Sequence, residues 1–299
     1  LCMYGIEGVG KTSFAASAPS PIFIPTESGT EQLDVARFPE PTSFADVLAA
    51  LDELLTAEHD YKTVVIDTLD RLEPLIWNDV CAATLDKRGK PAANIEAIGF
   101  KAGYVAALDY WRVLCAALER VRDARGMGVI LLAHSTVKSF KNPEADDFER
   151  YQLKVHASAA GLVREWCDDV LFATYETYTH EVSKGRSKGV STGARVIHTQ
   201  RRAAFDAKNR HDLPDVLPLD WAAYAAAVEA HAPATPDALL ARIAALCAEV
   251  DSSLAGRVQA AVKNADGNAA QLARIADKLT AEVSIANANN ATPEGTNNA

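Results

Sequence analysis

GIEGVGKT, Gly5 to Thr12, fits the pattern G-x-x-x-x-G-K-[ST], in which a glycine-rich turn aims successive backbone N–H groups at the phosphates of a nucleotide. Glycines 5, 8 and 10 permit close backbone approach and φ values that a Cβ would oppose. Lys11 puts a compact positive charge on the β and γ phosphates, and Thr12 offers its hydroxyl to Mg²⁺. The expected cradle for ATP is therefore Gly5, Glu7, Gly8, Val9, Gly10, Lys11, Thr12 and Ser13. Its flanks agree: LCMYG reads as the end of a buried strand, and SFAASA as the helix whose N-terminus faces the anion.

Outward from this loop, short apolar strands alternate with amphipathic helices. PIFIPTE ends at Glu27, and a helix from Phe44 to about Ala57 carries Val47, Leu48, Leu51, Leu54 and Leu55 on one face. KTVVIDT is a third strand with Asp67 at its C-terminal end. MGVILLAHS is a fourth, ending at His134, and DDVLFATY is a fifth. Helices are predicted over 70–85, 101–125 and 156–167, a long polar loop over Ser135–Lys154, and a hairpin over Tyr178–Gln200. The alternation predicts an α/β fold with a mainly parallel sheet flanked by helices. WAAYAAAVEAH closes this domain at residue 231. A proline-containing linker over 232–235 leads to a small alanine-rich helical unit over 236–283, and 284–299 reads as a disordered tail.

The 299 residues, 48% hydrophobic and 23% charged, contain no apolar run long enough for a membrane span and no charged-then-apolar leader. Leu1 opens in mid-strand, so residues are expected to precede it in the full protein. Five scattered cysteines without a CxxC and seven histidines outside any HExxH array argue against zinc and for reduced thiols in the cytoplasm. A net charge of −10 excludes a generally nucleic-acid-adhesive surface. Between Lys184 and Arg210, however, eight basic residues face one acid, Asp206, a local excess of +7 that leaves −17 for the remainder. Tyr175, Tyr178 and Phe205 lie nearby as stacking surfaces for bases.

Asp67 is placed to hold Mg²⁺ through water, against the alternative that it caps the helix after it. Glu27 suits activation of a water, and His134 suits a hydrogen bond to the γ phosphate. The order of P-loop, Glu27, Asp67, His134, long loop, hairpin and Lys208-x-Arg210 resembles the RecA-like ATPase core. More narrowly, YGIEGVGKTSFAASAP, FIPTESG, VVIDT, FKAGY, LLAHS and FDAKNRHDLPDVLPLD resemble the phage-associated AAA_24 group, which includes the Sak-type single-strand annealing proteins. The resemblance covers residues 1–231. It implies that Glu27 is the catalytic base, that His134 senses the γ phosphate, and that Ser135–Lys154 contacts single-stranded DNA. Lys208 and Arg210 would then enter the ATP site of a neighbour in a ring or filament, and DNA would stimulate turnover. Pro25 departs from the family, whose members tend to carry Asp in that strand. The alternative function is an ATP-gated adaptor or loader that recruits a protein partner through the C-terminal helices; a small-molecule kinase ranks third, for want of a lid or acceptor motif.

Overall fold

The computed structural model describes residues 1–29, 32–85, 89–141, 146–183, 186–231 and 235–290, and in 178–183, 186–191 and 284–290 the backbone alone. The chain divides into two compact units, Leu1–His231 and Ala232–Ala299.

In the first unit the elements are β1 (Cys2–Gly5), α1 (Lys11–Ala16), β2 (Pro21–Pro25), β3 (Ala36–Arg37), α2 (Phe44–Thr56), β4 (Thr63–Asp67), α3 (Leu69–Ala83) and α4 (Ala102–Arg125). They are followed by β5 (Gly128–Phe140), β6 (Phe148–Leu153), α5 (Ala157–Trp166), β7 (Val170–Ser183), β8 (Arg186–His198), β9 (Val216–Pro218) and α6 (Trp221–His231). Local chemistry accounts for the boundaries. Ser43 and Asp46 form a reciprocal capping box at the start of α2, and Gly126 ends α4 at a φ of 64°. TVVID of β4 is buried throughout, as a central parallel strand covered on both faces must be.

The strand order is β3-β2-β4-β5-β1-β7-β8-β9, with β6 paired to β5. From β3 to β7 the pairings are parallel, whereas β8, β9 and β6 join antiparallel. Alternation along β1 sends Cys2 and Tyr4 to a core shared with α2, α3, α4 and α5, and Met3 to a second core under α1 and α6. The register aligns Gly5 with His134, Asp67 with Leu132 and Pro25 with Asp67. The C-terminal ends of β1, β2, β4 and the parallel half of β5 therefore meet at one edge, the edge where open α/β sheets bind ligands.

Two expectations change here. Ser135–Lys154 is not a loop: residues 135–140 continue β5 and pair with 148–153 as a hairpin, and residues 142–145 lie outside the described residues. Alternating side chains favour the pairing, closed by Phe140 against Phe148 at 5.3 Å. The last helix also runs beyond Val283. In the second unit, α7 (Pro236–Cys247), α8 (Ser252–Ala265) and α9 (Ala269–Asn290) bury Leu239, Ile243, Val258, Leu272, Ala276 and Leu279 together. The proposed tail from residue 291 onward and the linker at 232–234 lie outside the described residues. No helix among the described residues is long and apolar enough to cross a membrane.

Candidate functional site

The three glycines of the loop serve two different needs. Gly8 and Gly10 have φ of 71° and 109°, conformations that side chains resist. Gly5 is needed for space: a Cβ there would lie 2.1 Å from the carbonyl oxygen of Ala173 on β7. Val9 is fully buried and anchors the turn to the core, while Glu7 and Ser13 are exposed. Lys11 is buried, and its ammonium donates to the loop's own carbonyls, Gly5 at 3.2 Å and Ile6 at 3.0 Å. Burial lowers its pKa, against the opposing pull of Asp67, Asp70, Glu27 and Glu7.

Asp67 does not cap the following helix. Thr68 occupies the N-cap of α3, and the Asp67 carboxylate accepts the Thr12 hydroxyl at 2.8 Å across the sheet edge. Only 3% of Asp67 is exposed, and burial pushes its carboxyl up to about 6, with Glu27 adding repulsion and Thr12, Lys11 and His134 opposing. A hydroxyl and a buried carboxylate are hard oxygen donors that suit Mg²⁺, which keeps most of its remaining shell as water and phosphate oxygens. Among the described residues no three His, Cys, Asp or Glu side chains gather to hold a metal unaided.

Glu27 reaches the same edge despite Pro25. Proline supplies no N–H, but the ladder resumes at once: Thr26 N–H donates to Asp67 O at 2.8 Å, and the Thr26 hydroxyl donates to Thr68 O while accepting its N–H. Beyond this staple, Glu27 lies 3.4 Å from Arg71 and 3.9 Å from His134 Nε2. Arg71 is 60% exposed, so its pairing holds Glu27 weakly.

Asp70 is a residue that motif reasoning missed, because an acid in the first turn of a helix has an ordinary role there. Its carboxylate accepts from His134 main-chain N–H at 2.9 Å and meets His134 Nδ1 at 3.0 Å. An ionised carboxylate only accepts, so Nδ1 carries a proton and Nε2 is the atom turned toward Glu27. Donation to a phosphate through Nε2 requires a proton on that atom as well as the one Nδ1 shares with Asp70.

Tyr175 and Arg195, cross-strand partners on β7 and β8, also come to the loop. The Tyr175 hydroxyl lies 3.4 Å from Gly8 O, and the Arg195 guanidinium is 5.9 Å from the Tyr175 ring centre. An Arg195 nitrogen lies 3.0 Å from where a Cβ on Gly10 would be. Spacing in the sequence holds no signal for this; only the register of β7 against β8 creates it.

Lys208 and Arg210 are not brought to the chain's own P-loop. Lys208 pairs through its backbone with Val170, whose neighbour in β1 is Cys2 rather than Gly5. Its ammonium donates to the carbonyls of Arg164, Glu165 and Cys167, and so caps the C-terminus of α5. With all three donors engaged, Lys208 is a structural cap, and the paired-finger expectation narrows to Arg210. Arg210 is 57% exposed and pairs with the equally accessible Asp168 at 2.8 Å, while its backbone N–H is held by buried Asp169. Of the expected stacking surfaces, Phe205 is buried against Phe172 at 4.8 Å and cannot receive a base. The side chains of Tyr178, Lys184, Arg186 and Lys188 lie outside the described residues.

No curated protein matches the chain. Among solved structures it is similar to a RadB recombinase, with 15% identity and a TM-score of 0.37 over 67% of this chain and 80% of that one. The AAA_24 family model, described as an AAA domain, matches residues 1–211, which include the P-loop, Glu27, Asp67, Asp70, His134, Arg195 and Arg210; the chain belongs to that family.

Proposed function

We propose that this chain binds ATP with Mg²⁺ and hydrolyses it, working as a RecA-like, homo-oligomeric ATPase on single-stranded DNA in phage-type recombination or replication in the cytoplasm. The observation that supports this best is the gathering of Glu27 and His134 beside the Thr12–Asp67 pair at the edge that carries the P-loop. Lys11 would exchange its two loop carbonyls for phosphate oxygens, and Thr12 and Asp67 would hold the metal. When bound, the metal would supply charge neutralisation to the phosphates. Glu27 would orient and deprotonate the attacking water, with His134, steadied by Asp70, donating to the γ phosphate. Arg195, beside Gly10, would reach the phosphates from the same subunit. Arg210, far from its own loop and loosely paired, fits a cation delivered to a neighbour's site. DNA contact would fall to the β5–β6 hairpin and to the basic β8 strand.

Mass in solution and ATP turnover, each measured with and without an oligothymidylate, test this reading. ATP-dependent assembly and faster turnover on DNA are expected. Turnover in a monomer that ignores DNA refutes the recombination role. Assembly on ATP with negligible turnover supports the adaptor instead, a reading favoured by the separate helical core of the second unit.

A further inference from the structure

We propose that the first unit carries a second phosphate-binding site, apart from the P-loop, in the cavity enclosed by the β5–β6 hairpin, α5 and residues 201–208. The cavity measures about 450 Å³, and Arg150, Arg164, Arg201 and Lys208 line it; among the described residues Asp206 is its one carboxylate. Val155, Ala160 and Val170 of its wall belong to the core on the sheet face of α2 to α5, whereas α1, which follows the P-loop, covers the other face, so the cavity is apart from the P-loop.

Three guanidiniums converge on Asp206. Arg150 reaches Oδ1 at 3.1 Å, Arg201 approaches the same oxygen at 3.5 Å, and Arg164 pairs with Oδ2. One carboxylate cannot neutralise three cations, and in a chain of net charge −10 this excess is not part of a generally basic surface. Burial, together with the repulsion of Arg201 and Arg164, lowers the Arg150 pKa against the pull of Asp206.

Arg150 is the second observation. Its side chain is 4% exposed, and Nη2 donates to Arg202 O, Phe205 O and Asp206. Its Nε is buried without a hydrogen-bond partner, and the guanidinium lies 5.1 Å from the centre of the Phe140 ring. A buried, unpaired guanidinium N–H is costly, and an anion is the partner that relieves both the missing bond and the crowded charge. Phosphate suits the geometry better than carboxylate, because its additional oxygens can be shared among several guanidinium forks. The phosphoryl group could come from free phosphate or from the backbone of a nucleic-acid strand.

The full-length Lys11→Ala protein is the material for the test, since it removes P-loop binding and separates this site from the ATPase reading. Inorganic phosphate is titrated into it and followed calorimetrically and by phosphorus NMR. Saturable binding is expected, weakened by about tenfold or more in the Arg164→Gln/Arg201→Gln variant and regained in the Arg164→Lys/Arg201→Lys variant. Both positions are partly exposed, so these changes leave the buried Arg150 in place. Displacement of phosphate by an oligothymidylate without terminal phosphates supports the site with a strand as its source; binding that the oligonucleotide does not disturb supports it with free phosphate as the source. Absent binding, or binding equal in the glutamine variant and its parent, overturns the assignment.

Discussion

Replacing Asp70 by Asn tests the support behind His134. The Asp70 side chain is 4% exposed, and burial alone would raise its pKa; the bonds from the His134 ring and main chain outweigh burial and hold it at about 2 against an ordinary 3.8. A carboxyl whose folded pKa lies below its unfolded value stabilises the protein above the unfolded value. That stabilisation is lost as the pH falls through the folded one. Asp70 should therefore contribute roughly 2 kcal/mol at about pH 5 and about half of that at about pH 3. Asp70→Asn should lower the unfolding free energy by these amounts in urea titrations followed by circular dichroism, the gap narrowing as acid is added. Turnover should fall by about tenfold or more, with ATP affinity nearly unchanged, because the amide no longer holds the His134 ring by a charge-assisted bond at Nδ1 with Nε2 turned to the site. A stability gap that is absent at about pH 5, or constant down to about pH 3, refutes the electrostatic argument. Unchanged turnover refutes the role of Asp70 in positioning His134.

Asp67 should behave with the opposite sign: its folded pKa of about 6 lies above the ordinary 3.8, so without metal and nucleotide the wild type loses stability as pH rises from about 4 through 6. Asp67→Asn should be more stable by roughly 3 kcal/mol at about pH 8, a gap that shrinks to about 0.5 kcal/mol at about pH 4, as urea titrations in chelator would show. Gly5→Ala sets a methyl against the Ala173 carbonyl and should cost about 3 kcal/mol, lowering the melting temperature even without nucleotide. Arg195→Ala removes an exposed side chain, so it should leave the melting temperature alone and weaken ATP about tenfold in equilibrium titration. Arg210→Ala should keep ATP binding and lose turnover by about 10³-fold; mixing it with Lys11→Ala subunits should restore part of the rate, and no recovery would exclude delivery in trans.

What the sequence made legible follows from how local each signal is. The P-loop is a contiguous motif whose geometry is set by neighbouring residues, and the buried strands announce themselves by composition. Asp67 could be placed at a strand end, though not distinguished from a helix cap, until the Thr12 hydroxyl was seen on it across the sheet. Asp70 was hidden by an unremarkable position. Tyr175 and Arg195 meet the P-loop through strand register, and Lys208 caps a helix some forty residues earlier; both depend on contacts between distant parts of the chain. Residues 135–153 looked like a loop because their polarity is high, yet their alternation was that of a half-exposed hairpin.

The continuity of β5 has a mechanical meaning. His134 is not at the end of a strand but in the middle of one, with seven residues in the parallel sheet ahead of or at it and six beyond. An extended strand rises about 3.3 Å per residue, so the segment after His134 is an arm roughly 20 Å long. No glycine or proline interrupts it between His134 and Phe140. The arm is tied to residues 202–206, by Tyr151 N–H to Ala204 O at 2.8 Å and by Arg150 to Phe205 O and Asp206, so a tilt of the backbone at His134 would be passed to that segment. The loss of a phosphate could be felt there as a displacement, with no separate hinge to transmit it.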